Sequence, residues 1–222
     1  MNFSYRIATA AFAAFAFTGA AQANLLTNGD FEGTTTLIGG LLEPAGWTFT
    51  PAASGSYAGI QVGSSFAHTG SQSYFFGAIG GSDDELSQNI ATVVGARYQI
   101  SFWFQGDPFS DPTTSTWDFS AFFGTTPLVS LSDPTEVTDP LNNDYSIYTF
   151  TETATAPTTT LAFYGQDIGF YVALDDVAVT PAPEPASLAV FGTALAGLGL
   201  VRRRKRKTAG RVPSSGVGAV GK

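Results

Sequence analysis

Short strand-like runs with no helices between them are the feature that most restricts the fold of residues 24–180. Runs of roughly five to eight residues, rich in Thr, Phe, Tyr, Val and Ile, alternate with clusters of Gly, Ser, Pro and Asp. No amphipathic helix of normal length interrupts them, so the pattern predicts an all-β protein with an antiparallel β-sandwich. The predicted strands are 24–32 (with a turn in it), 59–62, 73–77, 86–91, 97–105, 117–123, 145–151, 160–164 and 171–179.

The run 97–105 has the clearest two-sided pattern. Alternate positions are apolar on one side and polar on the other, apart from one large aromatic residue, so one face is predicted to lie in the core. The predicted core set is Tyr98, Ile100, Phe102 and Phe104, and the predicted outer set is Gln99, Ser101, Trp103 and Gln105. A Trp flanked by amides and hydroxyls suits a stacked sugar ring, with Trp117 and Tyr164 as further candidate aromatics. The alternative is that a loop or a neighbouring strand covers Trp103, which is then ordinary packing.

The segment 24–180 is strongly acidic. It holds 17 of the 18 acidic residues of the chain and a single basic residue, Arg97. A surface with this charge repels nucleic acid, which is therefore not expected as a partner. The chain has no cysteine, so disulfides, thiol chemistry and zinc–thiolate sites are excluded.

Catalysis has little support in the residues, and we predict that the protein is not an enzyme. His68, the single histidine, is predicted to be an exposed loop residue, and no Gly-x-Ser-x-Gly elbow supplies a nucleophile for a triad. A glycoside hydrolase needs two carboxylates across a cleft, and nothing in the sequence pairs two of those present. The available carboxylates are Asp83, Asp84, Glu85, Asp107, Asp111, Asp118, Asp175 and Asp176.

The N-terminus has the three parts of a secretory signal peptide at residues 1–23. Arg6 provides the positive region, residues 7–20 are apolar and rich in Ala and Phe, and Ala21-Gln22-Ala23 is a small-x-small cleavage site. We expect signal peptidase to cleave after Ala23. The alternative is a retained N-terminal membrane helix.

The C-terminus contains a second tripartite pattern. A Pro-rich linker at 181–185 ends in Pro183-Glu184-Pro185, an apolar run follows at 186–201, and a cation block occupies 202–207. The prolines stop an upstream helix, the apolar run can enter a bilayer as a short transmembrane helix, and the cations resist translocation. The 16-residue run would reach roughly 24 Å as a helix, against a hydrocarbon core of ~30 Å.

This arrangement resembles the PEP-CTERM protein-sorting signal of exopolysaccharide-producing Gram-negative bacteria, which the membrane protease exosortase recognises. The matching residues are Pro183, Glu184, Pro185, Arg202, Arg203 and Arg204. The resemblance implies export through an inner-membrane intermediate to the cell surface or the extracellular space. It also implies removal of the signal by exosortase; the alternative is an uncleaved single-span membrane protein. The chain departs from the pattern in continuing as a Gly-, Ser- and Val-containing tail at 208–222, which is predicted to be disordered.

The ordered motifs of residues 24–180 are similar to those of galactose-binding-domain-like jelly rolls, a group with many carbohydrate-binding modules. The motifs are Asn28-Gly29-Asp30-Phe31-Glu32, Gly46-Trp47, Leu86-Ser87-Gln88, 98–103, Tyr148-Thr149-Phe150-Thr151 and Leu174-Asp175-Asp176-Val177. The resemblance implies a structural calcium ion held by Glu32 and Asp176, with Asp30 as an additional candidate ligand; no other cofactor is expected. It also implies a non-catalytic protein associated with exopolysaccharide or another glycan. The alternatives are a structural or adhesion protein without a sugar site, or a glycoside hydrolase.

Overall fold

The computed structural model describes residues 22–38, 41–106, 117–132, 145–168 and 171–183, with the single positions 194 and 197. The chain divides into two units, residues 1–182 and 183–222, and the fold below is that of the first. The predicted signal helix up to residue 21, Glu184, Pro185, the cation block and the tail lie outside the described residues, as does all of 186–201 except the two single positions. Within the described part, no helix has the length and apolar character needed to cross a membrane.

The described fold is the predicted antiparallel β-sandwich. The first sheet has the strand order β10-β7-β12-β5-β4, the second sheet has the order β3-β6-β11-β8-β9, and β1 pairs with β2 as a separate two-stranded sheet. The strands are β1 Thr35–Ile38, β2 Leu41–Pro44, β3 Thr48–Thr50, β4 Gly59–Val62, β5 Gln72–Phe76, β6 Asp84–Ala91, β7 Arg97–Gln105, β8 Trp117–Phe123, β9 Thr126–Ser132, β10 Ser146–Thr153, β11 Thr158–Asp167 and β12 Val172–Pro181.

The core lies between the two sheets and is rich in aromatic rings. Phe102 on β7 is fully buried, and its ring centroid lies 5.2 Å from that of Phe163 and 5.9 Å from that of Phe119, both from the second sheet. The four residues predicted for the inner face of β7 are all buried. Because truncating a buried Phe costs about 3–5 kcal/mol, these contacts are a main source of stability.

The segment 24–32 is not the strand that the sequence predicts. Asn28 and Phe31 both have a φ of 55°, in the left-handed region, which bends the chain sharply twice. The Nε1–H of Trp47 donates to the carbonyl of Asn28, and Val177 N–H donates to the carbonyl of Gly29. Phe31 nevertheless points inward and is fully buried, so the apolar alternation predicts burial correctly although the segment is no strand.

Strand β12 carries the irregularity that builds one of the outer surfaces. Its register against β7 shifts between Asp175 and Ala178, and Asp176 has a φ of 47°. Such a β-bulge adds one residue to a strand and redirects the side chains beside it. Two consecutive carboxylates, Asp175 and Asp176, can therefore both bond to the loop that crosses the first sheet.

Candidate functional site

Trp103 lies on the outer face of the first sheet, as the alternation along β7 predicts. Its neighbours across the sheet are Ile147 on β10 and Asp175 on β12. Residues 63–71, here called the His68 loop, join β4 to β5, and the imidazole of His68 stacks on the Trp103 indole with centroids 3.7 Å and planes 17° apart. One ring face of Trp103 is therefore occupied by a side chain of the same protein.

Two carboxylates of β12 hold the His68 loop in place. Asp175 Oδ2 accepts hydrogen bonds from His68 N–H at 2.8 Å and Thr69 N–H at 3.2 Å. The Nδ1 atom of His68 lies 2.6 Å from Asp176 Oδ2, and the Thr69 hydroxyl donates to Asp176 Oδ1 at 2.8 Å. Burial raises the pKa of Asp175 to about 6, although its main-chain hydrogen bonds act in the opposite direction.

His68 is not the exposed loop residue that the sequence predicts. Its side chain is 25% exposed, and the Tyr145 ring packs edge-on against it at 5.6 Å. The Tyr145 hydroxyl also donates to the carbonyl of Phe66 in the same loop at 2.8 Å. His68 and Asp176 are separated by 108 residues, so no local pattern could reveal their contact.

Glu32 ties the end of the His68 loop to the N-terminal segment. Its Oε1 accepts from the N–H groups of Ser71 and Gln72, each at 2.6 Å, and its Oε2 accepts from the Ser71 hydroxyl at 2.9 Å. Burial alone would raise the pKa of Glu32, but these hydrogen bonds outweigh it and hold the pKa below its ordinary value. Gly70 makes the approach possible, because a Cβ there would lie 2.3 Å from Glu32 Oε1.

The three predicted calcium ligands do not form one site in this structure, and two of them already accept hydrogen bonds. Asp30 and Asp176 line one depression of about 400 Å³, which Glu32 does not line. Both oxygens of Glu32 and of Asp176 are already engaged by the His68 loop, and no group of three His, Cys, Asp or Glu side chains suited to a metal occurs among the described residues. An ion would have to replace these donors. Calcium binding stays a prediction, tested by whether chelation lowers the Tm of the purified protein.

A second candidate surface, here called the open face, is the outer face of the second sheet around Tyr164. In the register, Tyr164 on β11 lies between Glu85 on β6 and Ser120 on β8. A depression of about 550 Å³ is found there. Its lining residues are Asp83, Glu85, Ser120, Phe122, Gly124, Thr160, Ala162 and Tyr164.

The open face combines two aromatic rings with small side chains. The rings of Tyr164 and Phe122 meet edge to face at 5.7 Å and 87°. Ala162, Ser120 and Gly124 line the same depression and leave room beside the rings. A concave surface with aromatic rings and a few polar groups is the usual form of a small-ligand site.

Carboxylates at the open face lie close together. Burial, followed by the charge of Asp118 and a hydrogen bond to it, raises the pKa of Asp83 to about 6. The side-chain amide of Gln166 donates to Asp118 Oδ2, while its own Oε1 is buried without a hydrogen-bond partner. Burial and the nearby charge of Glu85 also raise the pKa of Tyr164, which keeps its hydroxyl protonated.

The predicted sugar-binding residues do not come together. Trp103 and Tyr164 lie on the outer faces of opposite sheets, and Trp117, at the start of β8, packs against Phe104 of the core at 5.7 Å. Of the polar residues predicted beside Trp103, Gln99 is exposed, Ser101 is half-buried and Gln105 is buried. Phe122 was not among the predicted residues, although it shares one face of β8 with Asp118 and Ser120, as Trp103 shares one face of β7 with Ser101 and Gln105.

Comparison with known proteins supports two predictions, the C-terminal sorting signal and the β-sandwich fold. The PEP-CTERM protein-sorting motif matches residues 181–205, which confirms the predicted sorting signal. A motif of this kind implies export to the cell surface or the extracellular space, with processing by exosortase. No curated protein matches the chain.

Among solved structures, a cyclase shares the sandwich fold, and two carbohydrate-binding modules show a weaker likeness. A family 61 carbohydrate-binding module in complex with β-1,4-galactotriose has a TM-score of 0.49 at 17% identity, and the match covers 72% of this chain and 99% of the module. A cyclase from Fischerella sp. TAU has a TM-score of 0.51 at 16% identity, and the match covers 75% of this chain and 100% of the cyclase. A family 22 xylan-binding domain from Paenibacillus barcinonensis has a TM-score of 0.44 at 18% identity, with 75% and 100% covered. At 16% identity the likeness to the cyclase shows the fold alone and no shared ligand.

Proposed function

We propose that the protein is an exported, non-catalytic glycan-binding protein whose binding site is the open face around Tyr164. The observation that carries the proposal is the edge-to-face pair of Tyr164 and Phe122 in a depression of about 550 Å³. Aromatic rings offer flat apolar surface to the C–H face of a sugar, and the carboxylates and hydroxyls beside them accept and donate hydrogen bonds to its hydroxyl groups. The sorting motif supports delivery of this site to the cell surface, where exopolysaccharide is the expected partner.

The open face supports this proposal better than the Trp103 face does. A sugar at Trp103 would have to displace His68, which is stacked on the indole and bonded to Asp176. At the open face, the depression already lies beside the rings of Tyr164 and Phe122. Binding there requires no rearrangement of the His68 loop, so less of the binding free energy is lost to reorganisation.

A glycoside hydrolase is the second candidate, and one observation favours it. Asp83 lines the depression, and its pKa is raised to about 6, as a general acid requires. Asp118 is the second carboxylate that such a hydrolase would need, because its charge already acts on Asp83. Release of new reducing ends from a bound glycan would favour the hydrolase.

The proposal is tested on a glycan array with the full-length protein purified in a mild detergent. We expect binding to a defined set of oligosaccharides, and we expect Tyr164→Ala to weaken it at least about tenfold, since a stacked ring contributes on the order of 1–2 kcal/mol. Tyr57→Ala is the matched control, because Tyr57 is 60% exposed and does not line the depression.

Two outcomes would contradict the proposal. In one, the wild-type protein binds no glycan on the array. In the other, Tyr57→Ala and Tyr164→Ala weaken binding equally. The site would then lie elsewhere, or the binding would be nonspecific adsorption to exposed aromatic rings.

A further inference from the structure

We infer that one end of the sandwich, here called the tether end, rests on the lipid bilayer while the sorting signal is still attached. The tether end consists of residues 92–97, 154–157 and 181–182, which main-chain hydrogen bonds bring together. Three features carry the inference: exposed apolar side chains at a hydrogen-bonded turn, a local charge opposite to that of the rest of the sandwich, and the exit of the chain toward the sorting motif. The inference goes beyond the proposed function and does not depend on glycan binding.

The turn between β6 and β7 exposes two consecutive valines. Val93 is 68% exposed and Val94 is 60% exposed. Hydrogen bonds fix the turn, because Val93 N–H donates to the Tyr98 hydroxyl at 2.9 Å and Gly95 N–H donates to the carbonyl of Ala154 at 2.8 Å. The two valine side chains are therefore held outward at the tip of the sandwich. Apolar surface presented in this way gains free energy when it leaves water for an apolar surrounding.

The tether end contains no carboxylate, and its single charged side chain is the exposed Arg97. Among the described residues, no carboxylate forms an ion pair with Arg97. All 17 acidic residues of the sandwich segment lie outside the tether end, and the nearest in sequence is Glu152. Asp83, Asp84 and Asp118 lie at the opposite end, where β6 and β8 begin. Lipid phosphates attract the guanidinium and repel the acidic end, so charge favours the same orientation as the valines do.

The chain leaves the fold at the tether end. Strand β12 ends at Pro181, and Ala182 N–H donates to the carbonyl of Arg97 at 2.8 Å. Residues 183–185 separate Ala182 from the apolar run that is predicted to enter the bilayer at 186–201. Three residues span roughly 10 Å when fully extended, at about 3.3–3.6 Å each. Insertion of the run therefore keeps the tether end close to the bilayer surface, where a high effective concentration makes even a weak contact form.

The contact is expected to depend on the tether. Two valines and one guanidinium make a small contact, which would not hold a free domain on a membrane. We therefore expect the contact to be lost when the sorting signal is removed. While it lasts, the open face stays accessible, because Tyr164 lies six residues along β11 from Thr158, or roughly 20 Å at about 3.3 Å per residue.

The experiment measures how closely single fluorescent labels approach the bilayer. The protein with its sorting signal attached is reconstituted into vesicles of phosphatidylethanolamine and phosphatidylglycerol. The chain has no cysteine, so Val94→Cys and Val62→Cys each create one attachment point for an environment-sensitive fluorophore. Val62 is the matched control, because it is a valine with 66% exposure on the edge strand β4, outside the tether end. We expect spin-labelled lipid to quench the fluorophore several-fold more at position 94 than at position 62.

Further variants test whether the valines and the charge make the contact. The fluorophore is now attached through Thr155→Cys, at an exposed position of the same end. Val93→Ser combined with Val94→Ser should lower its quenching by spin-labelled lipid several-fold, whereas Val62→Ser should leave it unchanged. Arg97→Gln should lower the quenching by a smaller factor, and the quenching that remains should no longer respond to salt.

Four results would overturn the inference. They are equal quenching at positions 94 and 62, unchanged quenching in the double serine variant, and failure of the protein to float with the vesicles, which would remove the tether. The fourth is a label at position 94 that is shielded both from spin-labelled lipid and from iodide in the water. Such shielding would show that another protein molecule, and not the bilayer, covers the turn.

Discussion

The two outer faces of this sandwich start from the same sequence pattern and end in different states. Each presents an outward aromatic residue on a strand, Trp103 between Ser101 and Gln105 on β7 and Tyr164 between Ala162 and Gln166 on β11. At the first face the His68 loop stacks a side chain on the ring, and the carboxylates of Asp175 and Asp176 are engaged in holding that loop. At the open face, no described segment supplies such a loop, and Asp83 and Glu85 line the depression.

The difference shows that a loop, and not the strand, decides whether an aromatic residue on a sheet is available to a ligand. The first face uses its polar groups for stability, because Asp175, Asp176 and Glu32 all accept hydrogen bonds from main-chain or side-chain donors. At the open face, no described basic side chain lies beside Asp83 and Glu85, and Gln166 Oε1 is buried without a hydrogen-bond partner. The predictions that follow test this division.

The largest expected effect is that of Asp175→Ala on stability. Asp175 is fully buried and accepts hydrogen bonds from the N–H groups of His68, Thr69 and Asp176, which the substitution leaves without an acceptor. We expect the free energy of unfolding, measured by urea denaturation, to fall by about 3 kcal/mol. With chelator present, so that calcium plays no part, Asp30→Ala at its exposed position should change it by about 0.5 kcal/mol or less. A similar small change for Asp175→Ala would show that the carboxylate does not hold the loop.

Trp103→Ala should lower stability without affecting ligand binding. Trp103 is half-buried, so we expect a loss of about 2–3 kcal/mol, below the 3–5 kcal/mol of a fully buried Trp, with glycan affinity unchanged. Tyr164→Ala should show the reverse, with the affinity lost and the free energy of unfolding changed by about 1 kcal/mol or less. Loss of glycan binding in a stably folded Trp103→Ala variant would show that the glycan binds at the first face and not at the open face.

His68→Ala should loosen the His68 loop. The substitution removes the stack on Trp103 and the contact with Asp176, so we expect the free energy of unfolding to fall by about 1–2 kcal/mol. Proteolysis under native conditions should become faster between residues 63 and 71. Unchanged cleavage within this loop would mean that Tyr145 and Glu32 hold it without the imidazole.

The smallest effect is the pH dependence contributed by Asp83. Its pKa is raised to about 6 in the folded protein, above the ordinary value near 4, so the folded state retains a proton that the unfolded chain loses. The stability that Asp83 contributes is therefore full below about pH 4 and declines as the pH rises to about 6. Because Asp83 is exposed, solvent screening limits the decline to about 1 kcal/mol or less.

Asp83→Asn removes this decline. Denaturation at pH 4 and pH 7 should find the variant close to the wild type at the lower pH and slightly more stable at the higher one. A variant less stable than the wild type at pH 7 would show that the Asp83 charge is compensated in the folded protein.

Much of the fold follows from local patterns in the chain. The predicted bounds of 59–62, 97–105 and 117–123 agree with β4, β7 and β8, because apolar alternation with period two reflects the burial of one strand face. Strand β9 was not predicted; its sequence contains Pro127 and two Ser residues, which are uncommon inside strands. An edge strand tolerates them because one of its sides has no partner to bond.

The candidate sites depended on contacts between distant parts of the chain. Alternation places Trp103, Tyr164 and Phe122 on outer faces, and the linear order of Pro183-Glu184-Pro185, apolar run and cations is sufficient to identify the sorting motif. Which sheet each strand joins is not encoded in its own period, and so Trp103 and Tyr164, predicted as one site, lie on opposite faces. The cover over Trp103 arises from bonds between His68 and residues more than a hundred positions away. The charges that act on each other at the open face come from Asp83, just before β6, and Asp118 on β8. Such contacts form because the two sheets pack with their apolar faces together. This packing determines which residues become neighbours on the outer faces, and the local sequence around an outer residue carries no information about them.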